Sequence, residues 1–169
     1  MNKPKVPDDF IRAVRRARLL LLDCDGVMTD GRLYYGESGE ALKVFDVRDG
    51  LGIVRWHEVG FTSGIISGRN SPIVARRASE LGMRIVRQGV TDKLSAAAEI
   101  FAEYGVTAEE AIFVGDDLPD IELIRTVGLG VAVADAAEEV RSAARFVTRS
   151  EGGRGAVREL IDLVLSLKS

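Results

Sequence analysis

Residues 19–26 read Leu-Leu-Leu-Leu-Asp-Cys-Asp-Gly, and the fold class turns on the change of character at Asp23. Four consecutive leucines with no polar alternation describe a short strand buried on both faces, as in the centre of a parallel sheet. Parallel neighbours need crossovers, and helical stretches recur on either side of this strand at the required spacing. Upstream, Asp8 precedes Phe10, Ile11, Val14 and Ala17 at helical spacing. Downstream, Arg32–Gly36 and Leu42–Val47 flank Glu37–Glu40, which predicts a hairpin with a four- or five-residue loop. Asp49 is then expected to cap a helix that runs through Glu58 and stops at Gly60.

From there the units repeat. Thr62–Ser67 is a second buried strand, and Ser71-Pro72 opens a helix that reaches Gly82. Strand 84–87 leads to helix 92–104, strand 111–114 to helix 117–126, and strand 129–134 to helix 136–144. A short strand at 145–148 precedes a final helix carrying Val157, Leu160, Ile161, Val164 and Leu165. The expected fold is therefore α/β: a three-layer, doubly wound parallel sheet with a projecting β-hairpin flap at about 32–47 and a C-terminal segment at about 149–169. One domain spans 1–169, a length near the mode for a single core.

Composition excludes several classes of partner. Hydrophobic residues make up 46% and charged residues 29%, as in ordinary globular chains. The net charge of -3 lacks the basic excess that binding to a phosphate backbone requires, so no nucleic acid is expected. The run Leu19–Leu22 is far short of the roughly 20 apolar residues of a membrane span. Cys24 is the single cysteine and nothing near Met1 resembles a secretory leader, so a reducing cytoplasm is the expected home.

In open α/β sheets ligands sit beyond the carboxyl ends of the strands. The polar residues expected there are Asp23 and Asp25, Ser67 and Arg69, Lys93, and Asp116, Asp117 and Asp120. Among these, Asp23, Asp25 and Asp116 bring three negative charges into one crevice, which is costly unless a cation neutralises them or their pKa values rise. All the candidate ligand atoms are oxygens, and the only histidine, His57, lies inside a helix away from this rim. A hard ion such as Mg²⁺ fits that set better than Zn²⁺. Lys93 and the Ser67 hydroxyl suit phosphate oxygens, and Asp23 and Asp25, spaced i and i+2, provide a nucleophile and an acid/base. Read alone, Asp-Cys-Asp-Gly is equally a polar turn. Its company in order along the chain favours metal-assisted phosphoryl transfer.

The segments Asp23-x-Asp25-Gly26-Val27, Ser67, Lys93 and Gly115-Asp116-Asp117-x-x-Asp120 resemble, in order, the four motifs of haloacid dehalogenase superfamily phosphatases. Within that family, the wider strings at 25–31, 46–50, 66–69 and 152–159 are similar to the branch acting on 3-deoxy-D-manno-octulosonate 8-phosphate. A branch acting on nine-carbon, sialic-type sugar acid phosphates is the near alternative. The resemblance implies a Rossmann-like core, an aspartyl-phosphate on Asp23, and acid/base work by Asp25. It further implies Mg²⁺ held by the Asp23 carboxylate, the Asp25 backbone carbonyl and Asp116, with Asp117 and Asp120 in support. Ser67 and Lys93 would hold the phosphoryl group, and Asp46, Val47, Arg48, Asp49, Gly50, Arg69, Arg77 and Arg154 would contact a sugar acid phosphate.

The chain advances 42 residues from Asp25 to Ser67 and 26 from Ser67 to Lys93, which leaves no room for the cap domain most relatives insert there. Similar capless phosphatases are homotetramers with shared active sites, walled by the hairpin and a neighbour's C-terminal segment, here Gly152–Arg158. Arg77 shares a helical row with Ile73, Val74 and Leu81, so snorkelling to solvent competes with a substrate role. A hinge is the other reading of the glycines around Arg154, while Cys24, Trp56 and His57 read as packing residues. Two rivals are not enzymes. A phosphoacceptor receiver carries its lysine after the last acidic group and before a proline, unlike Lys93; a nucleotidyltransferase-associated module is the other.

Overall fold

The computed structural model describes residues 8–168, so residues 1–7 and 169 of the expected domain lie outside the described residues. After helix α1 (Asp8–Arg16), strand β1 (Leu19–Leu22) enters the middle of a six-stranded parallel sheet. A hairpin, β2 (Tyr34–Gly36) and β3 (Gly39–Leu42), then stands apart as its own two-stranded sheet. The chain continues as α2 (Val47–Glu58), β4 (Thr62–Ile66), α3 (Pro72–Glu80), β5 (Ile85–Arg87) and α4 (Lys93–Tyr104). It ends as β6 (Ala111–Gly115), α5 (Ile121–Thr126), β7 (Leu129–Ala132), α6 (Glu138–Ala143), β8 (Phe146–Val147) and α7 (Ala156–Lys168).

The strand order is β5-β4-β1-β6-β7-β8. The chain leaves β1 in one direction to build β4 and β5 and returns to its other side with β6. That reversal makes β1 the switch point where an open sheet parts its loops. Leu22 lies beside Ile65 of β4 and Val114 of β6, so the residues following these three strands meet at one rim. Helices α1, α2 and α7 pack together on one face, and α4, α5 and α6 on the other. The four leucines of β1 are buried from both sides, as their unbroken run requires. Each fully buried leucine contributes roughly 1.5–3 kcal/mol relative to exposure.

Several boundaries differ from the expected ones. The hairpin loop is two residues, 37–38, because Gly39 at φ 111° turns the chain directly back and pairs with Gly36. Residues 43–46 are not strand: Lys43 dips under the hairpin, Phe45 packs against the core and Asp46 caps α2, accepting from the Arg48 N–H at 2.7 Å. Asp49 is therefore not that cap. It is buried in the first turn of α2, where its carboxylate accepts the backbone N–H groups of Gly155 (3.2 Å) and Arg158 (2.8 Å) at the start of α7. The helix expected over 117–126 opens as a 3₁₀ turn, Leu118–Asp120, before α5. Strands β7 and β8 and helix α6 are each shorter than expected, as the chain bends toward the rim after Ala132.

Asp49 thus joins α2 to α7 through two charge-assisted bonds. Asp49→Ala leaves two backbone donors of α7 without their partner, and each unmade bond costs about 1–3 kcal/mol. Urea unfolding is expected to show that loss, with the slope of the transition preserved.

Candidate active site

Asp23 follows β1 directly and donates its backbone N–H to Val114 O at 3.0 Å, so the strand geometry carries into the site. The chain then coils tightly, with the N–H groups of Val27, Met28 and Thr29 all directed at Cys24 O. Gly26 is the pivot at φ 88°, and a Cβ there would lie 1.8 Å from an Asp116 oxygen. Only glycine allows the loop after β6 to close over this coil. Cys24 is fully buried, and desolvation by that burial pushes its thiol well above the ordinary range.

Asp23, Asp25, Ser67, Arg69, Lys93, Asp116, Asp117 and Asp120 all line one cavity of about 440 Å³. All the residues predicted at the strand ends are thus brought together. Lys93 is its cationic centre, with Nζ 2.6 Å from Asp120 Oδ1 and 3.1 Å from Asp23 Oδ1. Burial alone would depress its ammonium pKa, but Asp23 and Asp120 outweigh that and raise it. Asp120 is wholly buried and fully engaged, because its second oxygen accepts the N–H groups of Asp116 (2.9 Å) and Asp117 (3.3 Å). Asp117 caps the following turn by accepting from the Leu118 N–H.

Oxygens of Asp23, Asp116 and Asp120 lie within 4.8 Å of one another. Three carboxylates around one ammonium leave an excess of negative charge. Desolvation, with Asp120 adding repulsion, lifts Asp23 to about 6 against the pull of Lys93. Desolvation followed by the charges of Asp23 and Asp120 lifts Asp116 to about 8. An all-oxygen donor set with surplus charge fits a hard divalent cation such as Mg²⁺. Asp120 has both oxygens committed, to Lys93 and two amides, whereas Asp23 commits only Oδ1, to the Cys24 N–H and Lys93, so Asp23 and Asp116 are the carboxylates left to hold it.

A glycine strap secures this loop from outside. Gly152 donates to Asp135 Oδ1 at 2.9 Å and Gly153 to Val27 O at 2.8 Å. A Cβ at 152 would sit 1.7 Å from Gly26 O. The strap therefore lies against the catalytic loop of its own chain, and the hinge reading of these glycines does not hold.

Other predicted contacts lie elsewhere in the chain. Arg77 crosses α2 at Gly50, with its guanidinium 5.8 Å from the centre of the Phe45 ring and its Nε buried without a hydrogen-bond partner. Asp46 and Arg48 form an ion pair with each other, Val47 is exposed, and Arg154 points outward beside Glu151. None of these, nor Asp49 and Gly50, lines the cavity in a single chain. Trp56 is buried, donating to Thr62 O, and His57 meets Ser63 Oγ at 2.7 Å, so both are packing residues as expected.

Lys43, Glu40 and Tyr35 escaped the sequence reading. Lys43 is bonded to Asp25 Oδ1, Glu40 to the Ser71 hydroxyl, and Tyr35 OH accepts from Arg69 at 3.1 Å. No signal in the sequence marks them: Lys43 alternates with Leu42 and Val44 as a solvent-facing lysine would, yet its side chain is buried while both neighbours are exposed.

The haloacid dehalogenase-like hydrolase family matches residues 65–161. A Yersinia pestis protein described as 3-deoxy-D-manno-octulosonate 8-phosphate phosphatase KdsC is 46% identical over 160 residues, covering 95% of this chain and 86% of that one. The crystal structure of the phosphatase of that name from Yersinia pestis superimposes with a TM-score of 0.93 at 45% identity, over 96% of this chain and 88% of that one. The Moraxella catarrhalis phosphatase of the same name, in complex with magnesium, phosphate and a KDO molecule, gives a TM-score of 0.93 at 35% identity, covering 96% and 94%.

The raised carboxyls make a prediction about metal binding. Well below pH 6 both Asp23 and Asp116 hold protons that a cation must displace; Asp23 loses its proton around pH 6 and Asp116 around pH 8, so Asp116 still carries a displaceable proton over most of that interval. Mg²⁺ affinity is expected to rise from pH 6 to pH 8 with proton release on binding, as read by calorimetry in buffers of different ionisation enthalpy.

Proposed function

The chain belongs to the haloacid dehalogenase-like hydrolases, and from that premise we propose that it is a Mg²⁺-dependent phosphatase of the eight-carbon sugar acid phosphate 3-deoxy-D-manno-octulosonate 8-phosphate. The observation that carries the reading is near-full-length identity of 46% to a phosphatase of that name, joined to a cavity holding every motif residue. The metal supplies charge neutralisation for a phosphate approaching carboxylates; Asp23 and Asp116 would hold it, with the Asp25 carbonyl.

The protein's own groups account for the remainder. Asp23 attacks phosphorus, and the bond to the leaving oxygen breaks as Asp25 gives that oxygen its proton. Asp25, now a base, takes a proton from the water that attacks the aspartyl-phosphate, so phosphate leaves and both carboxyls return to their starting state. Lys93 and the Ser67 hydroxyl bind the phosphoryl oxygens, and Asp120 keeps Lys93 aimed.

Specificity and closure are read as shared between copies of the chain. Leu33, Tyr35, Leu42 and Val44 in and beside the hairpin, and Val47 and Leu51 on α2, are large apolar side chains left exposed within one stretch of chain. Monomers rarely leave such a surface uncovered, and this supports a homotetramer in which a neighbour covers it. In that assembly the exposed Arg154 and Arg48 would serve an adjoining site, while Asp49, Gly50 and Arg77, which are covered within their own chain, would support the segment that carries them. The described helices are none of them long and apolar enough to cross a membrane, and a cytoplasmic location belongs to the same reading.

A panel of eight- and nine-carbon sugar acid phosphates tests the substrate by phosphate release with Mg²⁺. The eight-carbon ester is expected to have the highest kcat/KM, and a preference for the nine-carbon ester would transfer the protein to the sister activity. Sedimentation at assay concentration is expected to give four chains. Arg154→Ala is expected to lower kcat/KM for the sugar ester roughly ten- to a hundred-fold, the value of one lost charge-assisted contact, and to affect a small aryl phosphate less.

A further inference from the structure

The hairpin reaches the catalytic rim through one buried cation. The Lys43 side chain is only 2% exposed, although the residues on both sides of it face solvent. Its ammonium bonds Asp25 Oδ1 and stands 3.0 Å from Glu40 Oε1, and Glu40 is fastened in turn to the Ser71 hydroxyl at the start of α3. The other oxygen of Asp25 faces Arg69 Nε at 3.5 Å. Asp25 lines the cavity and Lys43 does not, so the lysine stands behind the carboxylate and not before the substrate.

An aspartate carboxyl turns about two side-chain bonds, and a strong bond to one oxygen restrains both. Lys43 makes that bond to Oδ1, while Oδ2, 3.5 Å from Arg69 Nε and not hydrogen-bonded to it, stays able to carry the proton. Two cations against Asp25 and Glu40 also make the cluster locally neutral. An unpaired ammonium this deeply buried would be costly, so the lysine stays only while Asp25 and Glu40 receive it.

We propose that Lys43 is a positioning residue for the reaction: carried by the hairpin, it orients the Asp25 carboxyl toward the leaving-group oxygen, so that protonation of that oxygen depends on the hairpin being seated. The inference rests on the acid/base role assigned to Asp25 above. It explains why a hydrophobic hairpin carries a buried lysine flanked by exposed Leu42 and Val44.

The distinguishing readout is dependence on the leaving group. An alkoxide needs the proton from Asp25, whereas p-nitrophenolate leaves without it. In single-turnover experiments with the Mg²⁺-loaded enzyme, Lys43→Met is expected to slow alcohol release from a sugar acid or simple alkyl phosphate on the order of 100-fold, and the p-nitrophenol burst only about threefold. Lys43→Arg, which keeps the cation, is expected to recover most of the loss. Equal losses on both substrates would mean that Lys43 merely anchors the hairpin, and would overturn the proposal. Asp25→Asn run alongside separates the two layers. If Asp25→Asn discriminates between leaving groups and Lys43→Met does not, the proposal fails and the acid role stands. If neither does, both fail. Circular dichroism reports whether Lys43→Met folds, and Lys43→Gln provides the same comparison if it does not.

Discussion

Three carboxylates, Asp23, Asp116 and Asp120, crowd one ammonium, Lys93, at the carboxyl ends of β1 and β6. That arrangement is unfavourable by itself, as the raised pKa values of Asp23 and Asp116 record. It persists because each element around it is fixed for other reasons. Strand β1 is locked between two neighbours by apolar burial, Gly26 admits Asp116 where any side chain would collide, and Asp120 is held by two backbone amides. Folding stability is thus spent holding a charge surplus in place, and a cation with a phosphate ester relieves that surplus. Preorganised electrostatics of this kind is the usual main source of catalysis at phosphorus.

Around this centre two accessory pieces act from opposite directions. The Gly152–Gly153 strap presses on the back of the catalytic loop, and Asp49 ties the start of the helix that follows it to α2. The hairpin reaches the front through Lys43 and Tyr35. Both short segments begin or end beside residues 46–50. Movement of α2 would therefore be felt by the strap and the hairpin together.

The sequence was most legible where a residue's role is decided locally. A run of leucines ending in aspartate must be a buried strand with a polar end, and the same logic at Ser67 and Asp116 assembled the rim correctly. Caps were harder. Asp46 and Asp49 both precede the apolar stripe of α2, and only the tertiary approach of α7 decides that Asp49 serves that helix instead. Lys43 was illegible for a related reason: Asp25 lies 18 residues away, and nothing local shows that Glu40, three residues earlier on the same leg of the hairpin, shares the lysine with it. Arg77 does not snorkel to solvent: it is largely covered by Gly50 and Phe45, and it does not line the cavity of its own chain.

The account stands or falls on covalent transfer through Asp23. Its most direct measurement is the stereochemical course at phosphorus, using a chiral [¹⁶O,¹⁸O]thiophosphate ester hydrolysed in ¹⁷O-water. Attack by Asp23 followed by attack of water inverts the centre twice, so the account predicts net retention of configuration. Net inversion would mean that water attacks the ester directly, with Asp23 reduced to a spectator of the metal, and would contradict it.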